Sequence, residues 1–155
     1  MKNQISTDST QETLEHIRKV NKYLSNVAVC LIVRAVDHDN SKLHSPEKEG
    51  FDKFNYRLKN VTYGSDEYKG LLEELKPVLE HHYRLNRHHP EHYKDGIKGM
   101  NLLDLIEMMM DWKAATERHN DGDIFKSIEI NQKRFGYSDE LKQIFINTIK
   151  EIFIV

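Results

Sequence analysis

Apolar residues recur at three- and four-residue intervals along most of this chain. Leu71, Leu75, Val78, Leu79 and His82 mark one line. Leu102, Leu105, Met109 and Trp112 mark a second, and Leu141, Ile144, Phe145, Thr148, Ile149 and Ile152 a third. That spacing returns side chains to one face of a helix, whereas a strand would scatter them over both faces. The residues that a many-turned β architecture needs are also scarce, with seven glycines and three prolines in 155 residues. The chain is 38% hydrophobic and 31% charged, polar but able to form one core at this length. The expectation is an all-α, single-domain helical bundle.

Taken in order, residues 1–8 read as a flexible N-terminus and residues 9–155 as the helical domain. Ser9-Thr10-Gln11-Glu12 has the pattern of a capping box. Leu14, Ile17 and Leu24 continue that helix, with His16 beside the stripe. Ser25 and Asn26 suit caps, so a turn is expected across Asn21–Asn26, with a second helix through Val27–Val36. Ser45-Pro46-Glu47 starts another, with Phe51, Phe54 and Leu58 as its apolar face. Tyr63-Gly64-Ser65-Asp66 stops it and caps the next, which Pro77 should kink or restart. Pro90 biases His89 away from helical backbone, which predicts a loop there. Helices then follow over Asn101–Arg118, over Ile124–Phe135 ending at Gly136, and after the cap Ser138-Asp139-Glu140. His119-Asn120-Asp121-Gly122-Asp123 between them is a turn that lacks the later ligands of a calcium loop. The count is about seven helices.

A formal net charge of −2 gives no general push toward nucleic acid or an anionic membrane. The longest apolar run, Val27–Val33, is far short of a membrane span. Cys30 is the only cysteine and lies in that run, which predicts a buried packing thiol and a reducing compartment. With no signal-peptide hydrophobic region at the N-terminus, a cytoplasmic location is expected.

Histidine is the unusual residue. There are nine, and five fall between His81 and His92. The adjacent pair His38-Asp39 offers one imidazole nitrogen and one carboxylate oxygen, a mixed set suited to a first-row divalent metal. His82 ends an apolar helical stripe and leads into the loop carrying His88 and His89. Asp104, Glu107 and Asp111 form an acidic line on the helix after Asn101. His38, Asp39 and Asp111 can hold one ion, with His16 as a fourth ligand. Asp39 can bridge to a second ion held by His82 and by His88 or His89. Two ions sharing a hydroxide can aim it at phosphorus. Lys42, Arg84 and Arg87 are candidate phosphate contacts. His16 carries a condition, because 22 residues of straight helix would put it about 33 Å from His38. It can serve only if the chain turns back.

The order His16, His38-Asp39, His82, His88-His89, Asp111 resembles the HD-domain metal-dependent phosphohydrolases over roughly residues 14–116. His38-Asp39-Asn40-Ser41-Lys42 is similar to the HD-x-G-K segment of the HD-GYP branch, with Ser41 in place of glycine. The Gly-Tyr-Pro signature is missing, since Gly96-Ile97-Lys98-Gly99 stands near that position, so cyclic-di-GMP hydrolysis is not implied. The string is closer still to a family of small uncharacterised phage and bacterial proteins with HDxSK, then HxxxNxHH, then EMxxDWxxA. The resemblance implies an HD-like fold and favours Asp111, within Asp111-Trp112-Lys113-Ala114-Ala115, as the terminal metal aspartate over Asp104.

The expected function is that of a metal-dependent phosphohydrolase. It would cleave a phosphoester of a nucleotide or related small molecule by metal-activated hydroxide. Asp39 and Lys42 are the catalytic candidates, and the cofactor is one or two divalent ions from Mn, Fe, Co, Ni or Zn. A non-catalytic metal-binding regulatory or structural protein and an HD-like di-iron oxygenase stand as alternatives.

Overall fold

A computed structural model of the chain describes residues 8–58, 66–118 and 122–153. The expected turn at Tyr63-Gly64-Ser65 and the His119-Asn120-Asp121 segment lie outside those residues, as do residues 1–7. The described residues form six α-helices and three short 3-10 turns, and no strand is found among them. The helices are α1 (Thr10–Asp37), α2 (Glu47–Leu58), α3 (Asp66–Leu85), α4 (Leu102–Thr116), α5 (Ile124–Phe135) and α6 (Asp139–Phe153). No helix is long and apolar enough to cross a membrane. The chain divides into two units, residues 1–36 and 37–155.

The first unit departs from expectation. Its described part is α1 alone, unbroken through the predicted turn at Asn21–Asn26. The physical reason is local. No glycine or proline interrupts residues 10–37. Ser25 turns its hydroxyl back onto the Asn21 carbonyl at 2.9 Å, so it bonds within the helix and caps nothing. Two expected helices are therefore one, which accounts for six rather than about seven. The helix N-terminus is held by Asp8, whose carboxylate accepts the Thr10 N–H at 3.0 Å. Cys30 is exposed, not buried as its apolar neighbours suggested.

In the second unit, α4, α5 and α6 enclose the core. Met108, Met109, Ile124, Ile128, Tyr137, Phe145 and Ile149 are all buried in it. Trp112 stacks on Phe135 with ring centres 6.2 Å apart and meets Phe145 edge-on at 6.0 Å. Met109 thus fills the core, as the helical pattern predicts, and Met108 beside it does the same. Asp123 caps α5 through the Phe125 N–H at 2.8 Å. Gly136 ends that helix in the left-handed region, with φ 66°.

Beside this core, α2 packs along α3, which continues through Pro77 to Leu85. Leu71 and Leu75 are buried on α3. Gly50 of α2 sits so close to Val78 that a methyl group there would overlap the valine side chain. Gly50→Ala should therefore cost about 1–3 kcal/mol through overpacking. Thermal melts would read this as a Tm loss of several degrees, and an unchanged Tm would contradict the close α2–α3 approach. That approach matters because α2 begins and α3 ends at the cluster described next.

Candidate metal centre

The chain leaves α1 at Asp37, and His38-Asp39 follow immediately. Asp39 adopts the left-handed region (φ 56°, ψ 13°), a conformation that aspartate tolerates better than most residues. This turns the chain into the 3-10 turn Asn40–Leu43 and brings the Lys42 Nζ to 2.6 Å from Asp39 Oδ2. The last turn of α3 delivers His81 and His82. The loop after it, closed by the 3-10 turn Pro90–His92, delivers His88 and His89. From α4 come Asp104, Glu107 and Asp111, three and four residues apart and so on one face.

These pieces converge. Asp39 Oδ1 lies 3.2 Å from His82 Nε2 and 3.5 Å from His88 Nε2. His82 Nε2 is 2.9 Å from His89 Nε2. On the other side of Asp39, His38 Nε2 lies 3.5 Å from Oδ2 and 3.7 Å from Asp111 Oδ1. Two sets of donor atoms result, each within 4.8 Å of one another: Asp39 with His82, His88 and His89, and Asp39 with His38 and Asp111. Asp39 belongs to both. A third set joins His38, His88 and Glu107.

Carboxylates stand behind the imidazoles. Glu47, fully buried, accepts from His82 Nδ1 at 2.8 Å, from His81 Nδ1 at 2.8 Å and from the Ser41 hydroxyl at 2.8 Å. Glu107 Oε1 accepts from His38 Nδ1 at 3.0 Å and lies 3.1 Å from His88 Nδ1. An ionised carboxylate can only accept, so the proton sits on Nδ1 and the Nε2 lone pair of His82 and His88 faces the centre. This is how metal-binding histidines are oriented in general.

Charge follows the same plan. His38 is raised to about 10 by its contacts to Asp111 and Glu107, which outweigh its burial. Burial, reinforced by His88 and His82, lowers His89 to about 3, so it is a neutral imidazole at ordinary pH. Burial pushes the Asp39 carboxyl up, yet the ion-paired Lys42 and the neighbouring charge of His38 hold it well below the usual range. Burial likewise opposes Asp111 and Glu47. The contact from His38 lowers the first, and those from His81, Ser41 and His82 lower the second.

Two atoms break the pattern of satisfied groups. Asp39 Oδ1 and His88 Nε2 are buried without a hydrogen-bond partner. Leaving such atoms unpaired costs free energy that a bound cation would recover. The residues fit a divalent ion on this ground and on donor chemistry, which is nitrogen and oxygen without thiolate. In the ion-free protein His38 is protonated at neutral pH, so an ion must displace that proton. Apparent affinity should therefore fall by up to about tenfold for each pH unit below about 10. Loading near pH 8 should release roughly one proton from this group, which calorimetry in buffers of different ionisation enthalpy would measure. Loading without proton release would mean that His38 is not a ligand.

Six of the seven metal candidates read from sequence, His38, Asp39, His82, His88, His89 and Asp111, come together. His16 does not meet its condition. It stands 20 residues, about 30 Å of continuous helix, from Val36, and the chain does not turn back. Asp104, which the resemblance passed over in favour of Asp111, belongs to none of these donor sets. It is fully buried and accepts from Tyr93 Oη at 2.7 Å and from the Asn101 N–H at 2.9 Å. Its Oδ1 also takes Arg87 Nε at 3.3 Å. Arg87 is thus tied down to α4. Arg84 is exposed and lines a cavity of about 490 Å³ that none of the six ligand candidates lines.

Sequence reading missed Glu47 and Glu107 as partners of the histidines. Glu107 had a signal, since it lies between Asp104 and Asp111 on their line. Glu47 had none, because an acid after Ser45-Pro46 is what any helix start favours.

Residues 5–152 match one family, described as a family of unknown function (DUF5662). No curated protein matches the chain, and neither does any solved structure.

Proposed function

We propose that this chain, which belongs to the DUF5662 family, is a metal-dependent phosphohydrolase acting on a nucleotide or related small phosphoester. The observation that carries the reading is the pair of unpartnered buried atoms, Asp39 Oδ1 and His88 Nε2, at the meeting point of three imidazoles. His82, His88, His89 and Asp39 would hold one ion, and His38, Asp111 and Asp39 a second. The shared membership of Asp39 supports two ions over one. A bound divalent ion polarises a phosphoryl oxygen and brings the pKa of water near neutrality.

The chain's own residues supply the rest. Glu47 and Glu107 hold imidazole protons away from the centre. Lys42 is the cation best placed for a phosphate oxygen, with its side chain 35% exposed beside Asp39. Arg87, engaged by Asp104, would steady the His88-His89 loop. Partial exposure of His38 (28%) and Asp111 (27%) favours turnover over a closed structural site. The resemblance of the His38-Asp39, His82, His88-His89 and Asp111 order to HD-domain phosphohydrolases supports the same reaction class.

The test is metal analysis of the untagged protein, then phosphate release from a panel of nucleotides with and without chelator. Bound first-row metal and chelator-sensitive release are expected; oxygen consumption without phosphate release would point to an oxygenase. Two substitutions should separate the acids of α4. Asp111→Asn should lower metal content and turnover at least about tenfold with little change in Tm. Asp104→Asn should do the reverse, keeping metal while losing about 1–3 kcal/mol of stability. Equal, mild effects would make that acidic face structural only.

A further inference from the structure

The His82 ring is held by more than Glu47. Asn86 stands one residue past the end of α3, and Ser41 lies in the 3-10 turn that follows Asp39. Asn86 Nδ2 is 2.8 Å from Ser41 Oγ, 2.9 Å from the His82 carbonyl oxygen and 2.9 Å from His82 Nδ1. The Asn86 backbone N–H reaches the same carbonyl at 3.0 Å. Ser41 in turn meets Glu47 Oε2 at 2.8 Å, the oxygen that also receives His82 Nδ1. The other Glu47 oxygen is taken by His81 Nδ1 at 2.8 Å. All of these residues belong to the second unit.

Counting hydrogens fixes the direction of every bond. A carbonyl only accepts, so the amide atom facing the His82 carbonyl is the Asn86 nitrogen and not its oxygen. Its two hydrogens go to that carbonyl and to Ser41 Oγ. A carboxylate also only accepts, so the single hydrogen of the Ser41 hydroxyl points at Glu47. No Asn86 hydrogen is left for His82 Nδ1, although the amide nitrogen stands 2.9 Å from it. His82 Nδ1 keeps its own hydrogen for Glu47, and its Nε2 lone pair faces Asp39 Oδ1 at 3.2 Å. Without the serine hydroxyl the count no longer closes. The freed amide N–H has an acceptor within reach at Nδ1. Accepting it moves the ring hydrogen to Nε2, where it blocks an ion.

We propose that Ser41 is a positioning residue that engages Asn86 and so selects the His82 tautomer whose Nε2 is open to a divalent ion, an inference that rests on the metal reading above. A glycine at position 41 has no hydroxyl to do this. A helix-capping role for Asn86 needs only its bonds to the His82 carbonyl and makes no use of Ser41.

The experiment reads the His82 ring nitrogens by long-range proton–nitrogen NMR of the full chain without metal. Zinc affinity is measured beside it by competition with a chromophoric chelator. Wild type should carry the ring hydrogen on Nδ1 alone. Ser41→Ala should show both tautomers and bind zinc about tenfold more weakly, the low end of the loss typical of an outer partner. Ser41→Thr keeps the hydroxyl and should match wild type in both measurements. Adding Asn86→Leu to Ser41→Ala removes the competing N–H and should return the hydrogen to Nδ1. An unchanged tautomer or an unchanged zinc affinity in Ser41→Ala overturns the proposal, as does a wild type with its hydrogen on Nε2. Should Ser41→Ala lose its fold by circular dichroism, Ser41→Cys, with a weaker donor of similar size, takes its place. Neither measurement involves substrate. A protein that shows these shifts yet hydrolyses no nucleotide upholds the role of Ser41 and refutes only the reaction.

Discussion

Asp39→Asn should yield a folded protein that has lost bound metal and turnover by more than about 100-fold, beyond the 10–100-fold typical of an outer partner. No other residue belongs to both the His82-His88-His89 set and the His38-Asp111 set. Asparagine keeps the shape and the tolerance for the left-handed backbone at φ 56°, so the 3-10 turn after it should survive. What changes is charge. The amide cannot bridge two cations, and Lys42 loses its partner at 2.6 Å. Elemental analysis beside a thermal melt reads both halves of the expectation. Full metal content in the variant would remove Asp39 from the centre and the proposed chemistry with it.

Glu47→Ala should be the most damaging substitution for stability, at about 3–5 kcal/mol, the usual cost of stripping one partner from a buried charged network. The carboxylate is 0% exposed and receives three donors, from His81, His82 and Ser41. For a chain of this size each kcal/mol shifts Tm by about 2–4 °C, so a loss of roughly 10 °C or more is expected. The acid limb follows from the lowered pKa of Glu47. Its contribution is complete above the unfolded carboxyl value of 4.5 and disappears as pH falls through the lower folded value. The gap between wild-type and variant melting temperatures should therefore shrink in acid. A gap that is absent at pH 7 would show that the three donors find other acceptors.

Much of this was legible from residue order because helices report themselves through period. The boundary at Gly136 and the methionine-filled core of α4 followed directly from pattern. The break expected in α1 failed because serine and asparagine are weak punctuation, and Ser25 could satisfy itself on Asn21 without leaving the helix. The ligand candidates were readable since imidazole and carboxylate are rare enough in close pairs to stand out. Their supporting carboxylates were harder to see. Glu47 meets His82 across 35 positions and Glu107 meets His38 across 69, and no local rule connects residues at that range. The role of Asp104 was hidden for the same reason, since its capping partner is three positions away but Arg87 is 17.

Those separations also set the order of events during folding. Closing a loop of 69 residues costs more entropy than forming the α2–α3 pair, and nothing repays it until α4 has its own turns in place. The junction of His38 with Glu107 should therefore form after the folding barrier has been crossed. Glu107→Gln would then speed unfolding and leave the refolding arm of a chevron almost unmoved. The cluster joins segments that otherwise fold locally, and its persistence is governed by how slowly the finished protein comes apart.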